Sequence, residues 1–291
     1  MHKPVLIKEV LEYLNPQMGE NFIDCTVGFG GHTLDILEKT KPNGKVLGIE
    51  QDEEIITLIK ERIENKRFIL AKGNFADLEE IVRDNKFNNI NGILLDLGLS
   101  SWHFDKSNRG FSFKGEDLLD MRLNSESELT AEKIINEWPE QELFRIFKEY
   151  GQERFPGRIA RVICEQRSNR QIRTTKELVD IIEQAIPKKH RYGKIHFATK
   201  IFQAIRIAVN DELNNLEKVL PQAVSLLEPQ GRLVVISFHS LEDKIVKHFF
   251  RDEFKKGNLE ILTKKPIVPN EDETILNPRS RSAKLRVIKK I

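Results

Sequence analysis

The chain has 291 residues and a net charge of +2; 32% of its residues are charged and 39% are hydrophobic, enough for one large domain or two ordinary ones. No apolar stretch reaches the length of a membrane span, and Glu9 and Glu12 within the N-terminal apolar pattern argue against a signal peptide. Cys25 and Cys164 lack metal-ligand spacing, so we expect a protein of the reducing cytoplasm with no disulfide, no resident metal and no membrane partner.

The positive charge is unevenly distributed along the chain. Residues 151–210 contain 13 Lys and Arg against 5 Asp and Glu, and residues 277–291 contain 6 basic residues and no acid. Such basic regions indicate a polyanionic partner, although solvated helix faces give the same pattern.

The first hundred residues alternate between strand and helix patterns. Apolar runs predict strands at 21–27, 45–50, 67–71 and 90–97. A helical pattern at 52–64 has Asp52 as its candidate N-cap. Because continuous apolar strands separated by helices are typical of parallel sheets covered on both faces, the sequence predicts an α/β fold.

The alternation stops after residue 100. Residues 101–114 are aromatic and irregular, and the pattern from 130 to about 210 is helical. Thr130 and Thr174, each with Glu in the first turn that follows, are candidate helix caps. The simplest interpretation is an all-helical insertion into the α/β sheet.

Strand patterns return near the end of the chain. A helix is predicted at 211–227, a strand at 231–238, and an antiparallel pair of strands at 259–263 and 283–288. We therefore predict a core formed by residues 1–112 and 211–291, interrupted by a helical domain of residues 113–210.

A glycine turn follows the first predicted strand. Asp24 ends the apolar part of that strand, and Gly28, Gly30 and Gly31 precede a helical pattern, as in the first crossover of a nucleotide-binding sheet. A dinucleotide fingerprint needs a third glycine where Thr33 stands, and no phosphate-binding P-loop sequence occurs. An NAD-dependent oxidoreductase is therefore the weaker alternative.

Three acids lie at or near the ends of predicted strands, where ligands bind in open α/β sheets: Asp24, Glu50 and Asp96. They would repel a pyrophosphate, but they suit S-adenosylmethionine, which carries an ammonium, a sulfonium and one carboxylate. Glu50 can accept hydrogen bonds from ribose hydroxyls, and Asp24 can reach the ammonium, directly or through water. The N–H groups of Gly30–His32 can hold the carboxylate, and Phe75 can pack on the adenine.

The region after the fourth predicted strand suits the binding of an unstacked base. Aromatic residues and one arginine cluster there: Trp102, Phe104, Arg109, Phe111 and Phe113. Further arginines recur at mostly helical spacing: Arg154, Arg158, Arg161, Arg167, Arg170 and Arg173. These arginines are candidates for binding RNA phosphates. The alternatives are packing of the insertion for the aromatic rings, and pairing with Glu153 or Glu165 for some arginines.

The longest motifs of the chain resemble those of one protein family. They are HKPVL (2–6), DCTVGFGGH (24–32), GILLDLGLSS (92–101), RGFSF (109–113), LDMR (119–122), FQAIRIAVNDEL (202–213), VISFHSLED (235–243) and NPRSRS (277–282). In this order they cover nearly the whole chain. They resemble the bacterial 16S rRNA (cytosine-N4) methyltransferase family, called RsmH or MraW.

The resemblance implies a class I S-adenosylmethionine-dependent methyltransferase fold, Rossmann-like with a mostly parallel sheet, and an all-helical insertion that helps to recognise RNA. It implies N4-methylation of one cytidine, cytosine 1402, in the decoding region of 16S rRNA, within the small ribosomal subunit or a late assembly intermediate. By motif, the cofactor contacts would be Gly30, Gly31, His32, Glu50, Phe75, Asp96 and His103. Two positions depart from the family pattern: Glu50 stands where Asp is common, and Trp102-His103 replaces a common Pro-Gln.

The exocyclic N4 of cytosine is a poor nucleophile because its lone pair is delocalised into the ring. An acceptor for an N4 proton would localise this lone pair during attack. Asp96, or a backbone carbonyl of residues 97–101, is the candidate acceptor. His239, after the strand at 231–238, is a second candidate for contact with the base or cofactor, and helix capping is its alternative role. A non-catalytic RNA-binding or assembly factor is the remaining alternative for the whole chain.

Overall fold

The computed structural model describes residues 4–193 and 195–291, and it divides the chain into two compact units. The first unit comprises the residues up to Ser100 together with Leu213–Ile291, and the second comprises Ser101–Glu212. His2 and Lys3 of the first sequence motif lie outside the described residues. Across the described ranges, no helix has both the length and the apolar character that crossing a bilayer requires.

The first unit is built on one sheet. Its strands are β1 (Asn21–Asp24), β2 (Val46–Glu50), β3 (Phe68–Lys72), β4 (Ile90–Asp96), β5 (Leu227–Ser237), β6 (Leu259–Ile261) and β7 (Lys284–Lys290). They are ordered β3-β2-β1-β4-β5-β7-β6; β7 pairs antiparallel with β5 and with β6, and the other four pairings are parallel. This arrangement confirms the predicted α/β class with a mostly parallel sheet.

Helices connect the strands and build the second unit. They are α1 (Ile7–Leu14), α2 (Gly31–Lys39), α3 (Glu53–Arg62), α4 (Leu78–Asp84), α5 (Ser101–Asp105), α6 (Ala131–Glu137), α7 (Glu140–Glu149), α8 (Pro156–Arg167), α9 (Thr175–Ala185), α10 (Thr199–Asn210), α11 (Glu212–Leu226), α12 (Ser240–Lys255) and α13 (Glu271–Leu276). Helices α5–α10 belong to the second unit, which explains its helical sequence pattern.

The core of the first unit lies on the central strands. Ile23, Leu47 and Ile93 are fully buried, and α11 adds Leu216 and Leu220 to the same cluster. Each buried side chain of this size contributes roughly 1.5–3 kcal/mol relative to an exposed one. The buried core therefore stabilises the strands that end at the candidate site.

Two predicted strand boundaries are wrong by three or more residues. Strand β1 ends at Asp24 rather than at residue 27, because the Asp24 carboxylate accepts a hydrogen bond from the backbone N–H of Thr26 (3.2 Å) and the chain turns there. Strand β5 begins at Leu227 rather than at residue 231. Its residues 228–231 form an irregularity in the pairing with β4, and regular pairing resumes at Arg232.

The second unit begins earlier in the chain than the predicted insertion, residues 113–210. Residues 101–112 belong to it, and one of the hydrogen bonds that hold them there runs from the backbone N–H of Met121 to the carbonyl of Arg109 (2.7 Å). At its other end the unit continues through Glu212. The irregular aromatic segment is thus part of the helical unit.

The predicted helix caps are confirmed. The Asp52 side chain accepts a hydrogen bond from the N–H of Glu54, and the Thr130 hydroxyl accepts one from the N–H of Lys133 (both 3.1 Å). Thr174 forms a capping box, in which its hydroxyl accepts from the N–H of Glu177 while the Glu177 carboxylate accepts from the N–H of Thr174.

Replacing Thr174 should therefore destabilise the second unit. Thr174→Ala should lower its free energy of unfolding by about 1 kcal/mol, because the first turn of α9 loses a side-chain acceptor. Thr174→Ser keeps the hydroxyl and serves as the matched control in denaturant unfolding followed by circular dichroism. Equal stability of the two variants would contradict this assignment.

Candidate active site at the carboxyl edge of the sheet

The three predicted acids meet at one edge of the sheet. Strands β2, β1 and β4 are neighbours and parallel, and their carboxyl ends carry Glu50, Asp24 and Asp96. From β1 the chain continues to β2 and β3 on one side, whereas β4 and β5 lie on the other. The edge between β1 and β4 is therefore the topological switch point at which open α/β sheets bind ligands.

The glycine turn between β1 and α2 brings backbone close to this edge. Gly30 is the N-cap of α2 with a left-handed φ of 73°, and a Cβ there would lie 2.5 Å from the Ile63 Cδ1. At Gly31 a Cβ would lie 2.7 Å from the Pro4 Cγ. Conformation and space therefore both favour glycine here, and the first-turn N–H groups of α2 have no intrahelical partner.

Asp24 lies beneath the turn with 1% of its surface exposed. Its Oδ2 accepts a hydrogen bond from the Thr33 hydroxyl (2.7 Å), and its Oδ1 accepts one from the N–H of Thr26 (3.2 Å). Burial raises the pKa of this carboxyl. At this exposure Asp24 has almost no open surface for direct contact with a ligand ammonium, and a contact through water stays a prediction.

Glu50 is half-buried at the end of β2. Its Oε2 accepts from the N–H of Gly28 (3.3 Å), and its Oε1 accepts from the N–H groups of Gln51 (2.9 Å) and Asp52 (3.0 Å). Loss of hydration outweighs these bonds and raises the pKa of Glu50 to about 7. When ionised, each oxygen has a further lone pair for a ribose hydroxyl.

His32 and Asp96 face each other across the switch point. The His32 Nε2 lies 3.6 Å from the Asp96 Oδ2, beyond hydrogen-bond distance, and His32 is only 6% exposed. Within the described residues, both ring nitrogens of His32 and the Asp96 Oδ1 are buried without a hydrogen-bond partner. Because such atoms each cost about 1–3 kcal/mol, their clustering marks a place where a polar ligand would supply the missing bonds.

Phe75 follows β3 at the same edge. It begins a short 3₁₀ turn, Phe75–Asp77, which the Asn74 side chain caps by accepting from the N–H of Ala76. Its ring is half-buried against the core cluster, so part of it remains exposed. This placement is compatible with the predicted adenine contact.

His239 is the N-cap of α12. Its Nδ1 accepts from the N–H of Glu242 (3.4 Å), and the Glu242 carboxylate accepts in return from the N–H of His239 (3.2 Å). The His239 Nε2 lies 3.2 Å from the same carboxylate. Of the two roles proposed for His239, the structure shows the capping role.

The aromatic segment is partly internal to the second unit. Phe111 is 6% exposed and meets His103, itself buried, edge-on with ring centroids 5.3 Å apart. Phe111 thus has a packing role and offers no open face to a base, contrary to our prediction. The Arg109 guanidinium donates to the Arg122 carbonyl (2.9 Å) and lies 5.3 Å from the centroid of the half-buried Trp102 ring.

The arginines of the second unit divide into engaged and available ones. Three are held by neighbours: Arg161 by Glu165, Arg167 by the carbonyls of Ile135 and Trp138, and Arg170 by Glu177. Arg154 and Arg158 are exposed, and the Arg154 guanidinium lies 5.5 Å from the centroid of the Phe155 ring.

A groove in the second unit, beside Arg154, escaped the sequence analysis. We call it the aromatic groove; its lining includes Arg154, Phe155, His190, His196, Phe197 and Lys200. Its rings pair as Phe155–His190 (5.1 Å between centroids) and His196–Phe197 (4.2 Å). Desolvation lowers the pKa values of both histidines, so the rings are neutral near pH 7. The signal in the sequence was the basic and aromatic run at 188–196.

Comparison with known proteins gives the family. The model of the MraW methylase family matches residues 1–291. The chain belongs to the MraW methylase family. It is therefore an S-adenosylmethionine-dependent methyltransferase with the class I, Rossmann-like fold of such enzymes.

Relatives of this methylase match over their full length. A protein from Heliobacterium mobile is 45% identical and one from Sulfurihydrogenibium sp. (strain YO3AOP1) 47% identical; each match covers 100% of this chain and 99% of the relative. Both are named "Ribosomal RNA small subunit methyltransferase H". The structure of an rRNA methylase from Streptococcus thermophilus is a more distant likeness, with 10% identity and a TM-score of 0.45 over 98% of this chain and 93% of that one.

Glu50 should make cofactor binding pH-dependent. The raised pKa of about 7 leaves much of the free protein protonated below neutral pH, whereas binding a ribose through both oxygens requires the carboxylate. Affinity for S-adenosylmethionine should therefore rise as the pH increases from about 5.5 to 7.5 and level off above that range. Calorimetric titration at a series of pH values measures this.

Glu50→Gln should weaken binding at pH 8 and remove most of this pH dependence. Glu38→Gln, at an exposed position of α2, is the control and should keep the slope of the unmodified protein. The same slope in Glu50→Gln would show that another group titrates.

Proposed function

We propose that this methyltransferase transfers the methyl group of S-adenosylmethionine to the exocyclic N4 of a cytidine in the decoding region of small-subunit rRNA. The proposed nucleotide is cytosine 1402. The substrate is 16S rRNA within the small ribosomal subunit or a late assembly intermediate, and the site of action is the cytoplasm.

The observation that carries the proposal is the group of partnerless buried atoms at the switch point. Beside the glycine turn, both ring nitrogens of His32 and one oxygen of Asp96 lack hydrogen-bond partners in the described part of the chain. Carboxylates at the same edge disfavour phosphates and favour the positively charged ammonium and sulfonium groups. The donor and acceptor set therefore fits S-adenosylmethionine, which supplies a methyl group activated by the positive sulfur.

Each part of the cofactor has a matching protein group. The N–H groups of Gly30–His32 at the start of α2 are the donors for its carboxylate. Glu50 is the acceptor for the ribose hydroxyls, and Phe75 is the apolar surface for the adenine. The proposal also includes the contact between His103 and the cofactor that the family motif implies; His103 is buried in the second unit.

Transfer forms a bond between N4 and the methyl carbon while the carbon–sulfur bond breaks. N4 then gives up a proton, and an acceptor in place during attack lowers the barrier by making the lone pair available. The Asp96 Oδ1 suits this task because it has no hydrogen-bond partner among the residues that the structure describes.

The second unit is proposed to hold the RNA. The aromatic groove combines rings on which bases can stack with the cations Arg154 and Lys200. Arg158, exposed in the first turn of α8, is a further candidate for contact with RNA phosphates. Trp102 and Arg109 are proposed to contact the target base. Arg161 is proposed to contribute little to RNA binding, because it forms an ion pair with Glu165.

The names of the relatives support the rRNA substrate, since proteins matching this whole chain at 45–47% identity are small-subunit rRNA methyltransferases by name. The choice of cytosine and of N4 rests on the resemblance of the sequence motifs. These motifs include Asp96 and the residues that follow it.

Methyl transfer from labelled S-adenosylmethionine tests the proposal directly. Small subunits and free 16S rRNA lacking the modification are the acceptors, and the labelled nucleotide is mapped by mass spectrometry. We expect label on N4 of one cytidine in the decoding region. Label elsewhere would refute the assigned position, and no transfer to either form of the RNA would refute the proposed function.

Asp96 variants test the proton acceptor in the same assay. Asp96→Asn and Asp96→Ala should lower turnover at saturating cofactor about 100-fold or more, the range found for general acid–base groups. Near-normal turnover in both variants would contradict this role and would indicate that a backbone carbonyl of residues 97–101 accepts the N4 proton.

The aromatic groove is tested by RNA binding. Arg154→Ala should weaken binding and lower the slope of log affinity against log salt by about one, because one phosphate contact is lost. Phe155→Ala should weaken binding by roughly 1–3 kcal/mol through lost stacking. Both should leave S-adenosylmethionine affinity unchanged.

Arg161→Ala is the matched control for this comparison, because Glu165 already neutralises its charge. A larger effect on RNA affinity at Arg161 than at Arg154 would contradict the placement of the RNA along the groove.

A further inference from the structure

We propose that Thr26 is a positioning residue for Asp96, and that the buried pair Asp24 and Thr33 holds Thr26 in place. The inference rests on the proposed function of the site, in which Asp96 contacts the reacting groups. It gives a role to Asp24, the acid at the end of β1, whose burial leaves almost no surface for direct ligand contact.

The evidence begins with the hydrogen-bond ladder between β1 and β4. The parallel register pairs Ile23 with Ile93 and Asp24 with Leu94, and the N–H of Cys25 then donates to the Leu94 carbonyl (2.9 Å). In a regular parallel ladder the N–H of Asp96 would next donate to the carbonyl of Cys25.

At that point of the ladder a side chain replaces the backbone carbonyl as the hydrogen-bond acceptor. The N–H of Asp96 donates to the Thr26 hydroxyl oxygen at 2.7 Å. On the other side, the following N–H, that of Leu97, donates to the Ile236 carbonyl of β5 (3.0 Å). The backbone that carries the Asp96 carboxylate is thus fixed from both sides, and on the β1 side the fixing atom belongs to Thr26.

Thr26 is itself held by Asp24. The Asp24 Oδ1 accepts from the Thr26 N–H, and its Oδ2 accepts from the hydroxyl of Thr33, which is fully buried in the first turn of α2. His32, adjacent to Thr33 in that turn, lies 3.6 Å from the Asp96 carboxylate. The bonds Thr33–Asp24–Thr26–Asp96 therefore tie one helical turn to the end of β4 on the buried side of the site.

This connection matters because methyl transfer depends on alignment. A shift of about 1 Å in a catalytic group can cost about 100-fold in rate. Removing the Thr26 hydroxyl leaves the Asp96 N–H without its acceptor, so the peptide can rotate towards the Cys25 carbonyl and carry the carboxylate with it. The effect on chemistry should pass through Asp96 alone.

The test is a double-mutant cycle in the full chain. Thr26→Val keeps the branched shape but removes the acceptor, and Thr26→Ser keeps the acceptor. We expect Thr26→Val to lower turnover about tenfold or more, and Thr26→Ser to recover most of the loss. In the Asp96→Asn background, Thr26→Val should change turnover less than about twofold, because the group that it positions is already disabled.

Controls separate positioning from general damage. Thr57→Val removes an exposed hydroxyl of α3 that bonds to the Glu53 carbonyl, and it should leave turnover unchanged. Thr33→Val should reduce turnover in the same direction as Thr26→Val, and melting temperatures monitor the folded fraction of every variant. Equal losses from Thr26→Val in both backgrounds, no loss in either, or failure of Thr26→Ser to recover activity would each overturn the inference.

The same cycle is measured on S-adenosylmethionine affinity by calorimetry, which needs no RNA. If the unmodified protein fails to methylate rRNA, the proposed function is refuted. The affinity cycle then still measures the coupling between Thr26 and Asp96. Coupling in that cycle supports positioning, and additive effects refute it.

Discussion

The parallel ladder between β1 and β4 is the constraint on which the site depends. Because the two strands run in the same direction and share a register, Asp24 and Asp96 reach the same edge of the sheet. The ladder must end there, and side chains replace the backbone as acceptors at its last steps. The glycine turn, the start of α2 and the position of His32 all follow from how the chain leaves β1.

Apolar periodicity is sufficient to predict β2, β3 and β4, whose observed ends lie within one residue of the predicted ones. The same periodicity overextends β1, because Val27 continues the apolar pattern after a carboxylate has already turned the chain. Side-chain hydrogen bonds of this kind leave no trace in a hydrophobic pattern. For the same reason the cap formed by His239 could be named from sequence only as one of two roles.

From the composition of the second unit, more basic and aromatic side chains were predicted to contact RNA than the fold leaves available. A count of basic residues treats Arg161 and Arg154 alike, yet one is neutralised by an ion pair and the other borders a groove. Phe111 was grouped with Trp102 by proximity in the chain, but its burial depends on contacts that only the folded segment makes. The aromatic groove was missed because Phe155 and His190, 35 residues apart in the chain, come together only through the fold.

The position of β7 has a consequence for the order in which the protein can form. This strand is the last in the chain order described, yet it lies between β5 and β6 inside the sheet, with Leu285 and Val287 fully buried. During synthesis, β5 must therefore wait with an open hydrogen-bonding edge until residues 284–290 have left the ribosome. A helical unit and more than a hundred residues intervene between β4 and its neighbour β5. Closing the sheet thus depends on two pairings between strands that are distant in the chain, β4 with β5 and β5 with β7, and such non-local pairings form slowly.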